Sequence, residues 1–143
     1  MPYRFLGEIA TADVAFEAWG STREELFSAG AAALLRTMVA EPEEVARRQE
    51  VTIRLEHDEL DLLLFSFLEE LVFLKDARRL LLHADTVRIE EQEGIFHLEA
   101  TARGEAIDAG RHLLLVDVKA VTLHRFQVVF DDNVWKAVVV LDV

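Results

Sequence analysis

The residues best placed for chemistry are acids at the margins of apolar segments. Asp142 interrupts the last predicted strand, residues 134–143, whose faces are both apolar from Ala137 to Leu141. The α-carboxylate of Val143 follows directly, so two anions lie close together. Leaving both of them poorly solvated without a cation is costly. The pattern fits a hard-cation site made of oxygen ligands, and it also fits a solvated acid at the end of the chain.

Asp13 raises the same question near the start of the sequence. It opens an otherwise apolar strand after Thr11 and Ala12, where its side chain could simply cap the turn. If the first and last strands are neighbours in a sheet, Asp13 and Asp142 converge with the Val143 carboxylate in one oxygen cluster. Ca²⁺ and Mg²⁺ accept such ligands, whereas zinc prefers His or Cys. The sequence pattern leaves that strand pairing open.

Two further charged residues, one on a predicted strand and one on a predicted helix, lie next to apolar residues. Lys119 shares a predicted strand face with Val121 and Leu123, so its ammonium group either snorkels to water or pairs with an acid. Glu70 lies near the buried edge of a predicted helix and, with Glu69, is most simply part of a solvated face. We take Lys119 and Glu70 as candidate residues for binding a partner or supporting the acidic site.

Composition excludes several classes of chemistry. The 143 residues contain no Cys, which removes disulfides, zinc-thiolate sites, iron–sulfur clusters and thiol nucleophiles. The five histidines are not at metal-binding spacing, and no phosphate loop, dinucleotide fingerprint or nucleic-acid motif is present. Fifteen Lys and Arg against 27 Asp and Glu give a net charge of −12, which opposes direct binding to nucleic acid. RNA could still be reached through a protein partner.

We expect a cytoplasmic protein with no membrane association. No stretch approaches the roughly 20 apolar residues that span a bilayer. The N-terminal residues carry an acid where a secretory signal would be apolar.

The elements that position these residues follow from hydrophobic periodicity. The first helix is predicted to start at a capping box, Ser21 to Glu24, and the second to start with Asp58 as N-cap. The predicted elements are a strand at 11–19, a helix from 21 to near 41, a strand at 49–56, a helix from 58 whose apolar stripe runs to Leu74 and whose pattern turns β-like after 75–79, and strands at 80–91, 94–103, near 113–130 and 134–143, with turns at 93–94 and 131–133. We therefore predict one α+β domain over residues 1–143, a mainly antiparallel β-sheet with two principal α-helices packed on it.

Several of these segments, taken in order, resemble the archease family nearly end to end. The segments that carry the resemblance are Thr11-Ala12-Asp13-Val14, Gly20 with the helix at Glu25-Leu26-Phe27, the helix Leu63 to Leu71, Gly104-Glu105 with Arg111-His112, the strand Val118 to His124, and the ending Trp135 to Val143. The combination of the Thr-Ala-Asp strand, the Lys-Ala-Val-Thr-x-His strand and the acidic C-terminus is specific.

The resemblance implies an accessory protein of the RtcB-type RNA ligase, which joins tRNA halves after intron removal and repairs RNA breaks. Such a protein is not itself an enzyme. It promotes guanylylation of the ligase's active-site histidine, permits multiple turnover and broadens nucleotide use. The resemblance also implies a divalent ion, commonly Ca²⁺ with Mg²⁺ as the alternative. The ligand positions of the family correspond here to Asp13, Asp142 and Val143. The family often has His before Thr-Ala-Asp, and this chain has Ala10 there, so ion affinity or activation could differ.

Two other functions compete with ligase activation. One is a chaperone-like or adaptor module without a metal role, in which the acids are only surface charge. The other is a metal-dependent hydrolase, which is weaker because no general base matches a substrate pocket. Under ligase activation, the anionic surface is steered to a cationic RNA-binding cleft, and Lys119 orients an acid or a phosphate.

Overall fold

Two helices and seven strands make up the computed structural model, which describes residues 2–7 and 13–143. In chain order the elements are β1 Tyr3–Leu6, β2 Asp13–Gly20, α1 Arg23–Met38, a 3-10 turn Pro42–Glu44, β3 Gln49–His57, α2 Leu60–Arg78, β4 Leu80–Gln92, β5 Ile95–Ala106, β6 Ala120–Asp131 and β7 Val134–Asp142. The predicted α+β class is confirmed. Thr11 and Ala12, where the first strand was expected to begin, and Ala10 lie outside the described residues.

The strands form two sheets with antiparallel pairing. One sheet has the order β1-β2-β7-β6 and the other the order β3-β5-β4. Helix α1 contacts β2 and β4, and α2 contacts β6 and β3, so each helix touches both sheets. Strand β7 lies between β2 and β6, in keeping with its two apolar faces.

The core forms where helices and sheets meet. Phe16 of β2, Phe27 of α1 and Phe67 of α2 are fully buried. The rings of Phe27 and Phe67 lie 5.9 Å apart, which joins the two helices. No helix among the described residues is long and apolar enough to cross a membrane.

The cap of α1 lies one residue later than predicted. The N-cap is Thr22, whose Oγ1 accepts a hydrogen bond from the Glu25 N–H at 3.0 Å. Glu25 Oε2 in turn accepts from the Ser21 N–H at 2.6 Å. The predicted partner Glu24 instead accepts from the Ile89 N–H of β4. The predicted Ser21–Glu24 capping box was therefore wrong. Thr22 and Glu25 have the same three-residue spacing, and they accept the capping hydrogen bonds instead.

Helix α2 also differs from its predicted bounds. Its N-cap is Glu59 rather than Asp58, and no side chain caps it. At its other end α2 runs to Arg78, within the predicted change to a β-like pattern after residues 75–79, and stops at Arg79, which has a φ of 57°. Lys75 lies near this end of the helix.

Strand β6 begins later than predicted. Residues 107–119 form an irregular segment, and the ladder with β7 starts at Ala120. Lys119 is thus outside the strand and exposed, whereas Val121 is buried and Leu123 is 58% exposed. The prediction that these three side chains share one face was wrong.

A wide bulge explains why Leu123 leaves the buried face of β6. Thr122 pairs with Val140 and Gln127 pairs with Val138, so four residues of β6 lie opposite Val139 alone. Arg125, inside the bulge, has a φ of 55°. Simple alternation of side chains cannot continue through such a segment.

The two predicted hairpin turns are present. Glu93 and Gly94 connect β4 to β5, and Asp132 and Asn133 connect β6 to β7. All four residues have positive φ, which is the conformation of the two-residue turn that matches strand twist.

Candidate metal centre

The two candidate acids lie opposite each other on neighbouring strands. In the antiparallel register of β2 and β7, Asp13 is the direct partner of Asp142. Directly opposed residues project from the same face of a sheet, with Cβ atoms about 5 Å apart. Both residues are half-buried. The strand pairing that the sequence pattern left open thus brings the acids together.

The third strand and the preceding segment border Asp142. Ala120 of β6 is its partner on the side away from Asp13. The Lys119 N–H donates to the Asp142 carbonyl at 2.8 Å. The backbone of Lys119 therefore lies beside the acidic pair, and its side chain is exposed. Val143 follows Asp142 and is half-buried. In the part of the chain that the structure describes, no hydrogen bond or ion pair joins the half-buried Glu70 of α2 to these acids.

The acidic pair has the donor chemistry of a hard-cation site. Like charges directly opposite each other on a sheet repel. Neither Asp13 nor Asp142 takes part in an ion pair with residues 2–7 or 13–143. Across the same residues, no three His, Cys, Asp or Glu side chains cluster to hold a metal. Further ligands would be main-chain oxygens, such as those of Val143, or water, a set that suits Ca²⁺ or Mg²⁺.

A buried lysine that the sequence analysis did not single out supports the neighbouring backbone. Lys75, near the end of α2, is 3% exposed. Its Nζ donates to Asp117 Oδ1 at 2.5 Å and to the Val118 carbonyl at 2.7 Å, and it lies 2.6 Å from Asp76 Oδ1. Burial opposes the charge, but the hydrogen bonds to Asp117 and Asp76 outweigh it and raise the pKa of Lys75. The ammonium group is therefore charged at neutral pH.

Lys75 and Asp142 are hydrogen-bonded to the carbonyl and the N–H of the same peptide group. The carbonyl of Val118 accepts from Lys75 Nζ, and the N–H of the same peptide, which belongs to Lys119, donates to the Asp142 carbonyl. The backbone next to the acidic pair is thereby fixed to α2. The spacing of Lys75 after Leu71 continues the buried stripe of the helix, and this was the available signal for its burial.

A second buried cluster surrounds Glu105 at the end of β5. Glu105 is 5% exposed and accepts hydrogen bonds from the Ala46 N–H at 2.8 Å and from Arg48 Nε at 3.1 Å. Arg111 also donates to it, and His112 Nε2 lies 2.9 Å from its Oε2. Two guanidinium groups thus balance the charge of one buried carboxylate, and an imidazole is hydrogen-bonded to it.

His112 is held as a neutral imidazole. Its Nδ1 accepts from the Asp108 N–H at 3.0 Å, so the ring proton lies on Nε2 and is donated to Glu105. Burial, together with the nearby Arg111 guanidinium, lowers the pKa of His112. The cluster fixes the start of the irregular segment 107–119, as Lys75 fixes its end.

Known proteins resemble this chain in sequence and in fold. The model of the Archease protein family (MTH1598/TM1083) matches residues 3–143. The chain belongs to the archease family. The archease of Pyrococcus furiosus is 36% identical over 134 residues, which cover 93% of this chain and 94% of the relative. The archease of Archaeoglobus fulgidus is 33% identical over 143 residues, all of both chains.

Two solved structures have the archease architecture described above. The solution structure of Methanobacterium thermoautotrophicum protein 1598 superposes with a TM-score of 0.86 at 33% identity and covers 99% of both chains. The crystal structure of a Thermotoga maritima archease, described as a possible chaperone, has a TM-score of 0.63 at 22% identity and covers 94% of this chain and 93% of its own. The second likeness shows the fold alone.

Proposed function

We propose that the chain is a non-catalytic activator of an RtcB-type RNA ligase in tRNA splicing and RNA repair. It promotes guanylylation of the ligase and allows each ligase molecule to turn over many times. A divalent cation, Ca²⁺ with Mg²⁺ as the alternative, takes part through Asp13, Asp142 and Val143. The chain works in the cytoplasm and reaches RNA only through its partner.

The observation that carries this proposal is the register of β2 and β7. It places Asp13 opposite Asp142, two half-buried carboxylates at one end of a sheet. Membership of the archease family supports the proposal, because the resemblance to that family is what implies ion ligands at these positions. The acids are separated by nearly the whole chain, so their alignment requires that β2 and β7 pair in this register.

Each residue of the centre has a distinct task in this proposal. Asp13, Asp142 and the main-chain oxygen of Val143 hold the ion. When bound, the ion neutralises the two carboxylates and offers a Lewis acid to phosphate oxygens. The exposed Lys119 directs its ammonium group to a nucleotide phosphate, and Glu70 supports the contact with the partner.

The test is a guanylylation and multiple-turnover ligation assay with the cognate ligase. The wild-type chain should convert the ligase from about one turnover to many. Asp13→Asn and Asp142→Asn keep side-chain size and remove the charge, so we expect at least about tenfold less stimulation, equivalent to about 1.4 kcal/mol. Asp131→Asn, an exposed acid at the other end of the β6–β7 hairpin, is the matched control and should behave as wild type.

Metal binding is measured separately by thermal unfolding with and without Ca²⁺. A ligand that binds only the folded chain at 100 times its Kd adds about 2.7 kcal/mol of stability. We expect Ca²⁺ to raise the Tm of wild type and of Asp131→Asn but not of Asp142→Asn. Wild type that leaves ligase turnover unchanged contradicts the activator role, and full stimulation by Asp142→Asn contradicts the role of the ion.

The second candidate is a chaperone-like adaptor without a metal role. A run of exposed apolar side chains at 113–116 favours it, because such surfaces bind other proteins. Suppressed aggregation of unrelated proteins, with no effect on ligase guanylylation, would support the adaptor.

A further inference from the structure

Four consecutive apolar residues of the irregular segment are exposed to water. Their exposed fractions are 64% for Leu113, 43% for Leu114, 50% for Leu115 and 42% for Val116. Single exposed apolar side chains are ordinary, but a consecutive run of four is unfavourable unless something covers it. We name Leu113–Val116 the apolar ridge.

Two backbone groups of the apolar ridge are hydrogen-bonded although its side chains are exposed. The Ala40 N–H donates to the Leu113 carbonyl at 2.9 Å, and the Leu115 N–H donates to the Met38 carbonyl at 2.8 Å. These bonds form an antiparallel bridge between Leu114 and Val39, just after α1. The ridge is thus fixed to the end of a helix.

Buried ionic clusters hold the chain on both sides of the ridge. His112 precedes it and is hydrogen-bonded to the buried Glu105. Asp117 follows it and accepts from the buried Lys75. The fold orders this segment without burying its apolar side chains, so a partner would meet a surface that is already in shape. Preorganisation of this kind reduces the entropy lost on binding.

The ridge lies close to the acidic pair. Val116 is three residues from Lys119, a separation of at most about 11 Å for an extended chain. The Lys119 N–H is bonded to the Asp142 carbonyl. A standard interface covers about 800 Å² on each partner, enough to include both the ridge and the acids.

Charge selects the kind of partner that fits this surface. The chain carries a net charge of −12, so two copies repel each other. Asp117 borders the ridge with 71% of its side chain exposed. The exposed Lys119 and then Asp13 and Asp142 lie beyond it, so three carboxylates and one ammonium group lie beside the ridge. A surface of apolar side chains next to carboxylates complements an apolar depression bordered by Lys or Arg.

We propose that the apolar ridge is the docking surface for the ligase that receives the acidic pair. This inference rests on the proposed function and adds to it the part of the chain that supplies binding energy. The ridge inserts into an apolar depression of the ligase, and the acids reach the cationic cleft beside it. Binding and activation are then carried by different residues.

The test compares Kd values for the complex with the ligase. In Leu113→Ser/Leu115→Ser the two most exposed ridge leucines become polar, and the backbone bonds to α1 are retained. The control is Val129→Ser, a 39% exposed residue near the other end of β6. We expect at least tenfold weaker binding for the ridge variant and a change under twofold for the control. The Tm values and Ca²⁺ affinities of both variants should match wild type.

The outcomes separate this inference from the function on which it rests. Wild-type affinity in the ridge variant, with wild type itself activating the ligase, overturns the ridge and leaves the activator role in place. Wild type that neither binds nor activates the ligase overturns both. Sedimentation that detects a wild-type dimer, lost in the ridge variant, assigns the surface to a second copy and overturns the inference.

Discussion

Lys75 is charged inside the protein because three oxygen acceptors lie around its ammonium group. The helix pattern is enough to predict that position 75 faces inward. It cannot predict Asp117 and Val118, because these acceptors come from an irregular segment 42 residues later. A buried cation of this kind becomes recognisable only when the long-range packing is known.

Replacing this lysine tests its part in holding the backbone beside the acids. In Lys75→Met the Val118 carbonyl loses its donor, and a buried acceptor without a partner costs about 2 kcal/mol. We expect unfolding in urea to show that loss and Ca²⁺ binding to weaken, because the Val118–Lys119 peptide is released. Lys136→Met on β7 is the control and should lose less than about 0.5 kcal/mol.

The pH dependence of the same variant distinguishes a charge effect from a packing effect. The pKa of Lys75 is raised above its ordinary value of 10.5 in the folded chain. Its contribution is therefore fully present below the pKa of the unfolded chain and is lost as the pH rises through the folded pKa. The difference in stability between wild type and Lys75→Met should stay constant from neutral pH to pH 9 and shrink as the pH rises above the ordinary pKa of 10.5. A difference that is unchanged well above that pKa would show a packing effect and contradict the ionic role.

The acids themselves show what residue types can and cannot predict. Asp13 and Asp142 stand out because each is a carboxylate beside an apolar strand, and that much is visible in the sequence. Their alignment depends on a register between strands from opposite ends of the chain, which only the folded sheet determines. The role of Val143 as a ligand stays a prediction, as do the roles of Lys119 and Glu70.

At the scale of elements, periodicity predicts the helices and most strands but not their local irregularities. Strand β3 and its alternating burial follow directly from Val51, Ile53 and Leu55. Strand β6 does not, because a four-residue bulge and the preceding irregular segment are both rich in apolar residues. An alternating pattern identifies apolar residues but does not reveal which of them are unpaired with the neighbouring strand.

The cap of α1 provides a direct test at this scale. Thr22→Ala removes the oxygen that accepts from the Glu25 N–H, so we expect a loss of about 1 kcal/mol in unfolding free energy. Ser21→Ala retains the Ser21 N–H that bonds Glu25 and should cost almost nothing. Urea denaturation of the two variants measures the difference. Equal losses, or a larger loss for Ser21→Ala, would show that the cap lies at the earlier position.

For the whole molecule, the excess of acids is the property most easily predicted, since it needs only the sequence. The division of the strands into two sheets is less accessible, because strands separated by many residues pair in both sheets. Strand β2 lies beside β7, and β3 lies beside β5. Hydrophobic patterns identify such strands but do not assign their neighbours.

The net charge of −12 predicts the kinetics of association with the ligase that we propose as the partner. Electrostatic steering accelerates association at low salt and is screened as ionic strength rises. We expect the association rate constant to fall about tenfold or more between 20 and 500 mM NaCl, with a smaller change in the dissociation rate. Stopped-flow measurements of the wild-type complex give both rates. An association rate independent of salt would contradict steering by charge.

The position of β7 determines the stage of synthesis at which the four-stranded sheet can be completed. Residues 134–142 leave the ribosome after every other element described above, yet they fill the middle of a four-stranded sheet. Until they emerge, β2 and β6 have no common neighbour, and Asp13 has no opposing carboxylate. A nascent or prematurely terminated chain that lacks β7 therefore cannot align the two carboxylates, so the proposed ion site requires a released chain that includes residues 134–143.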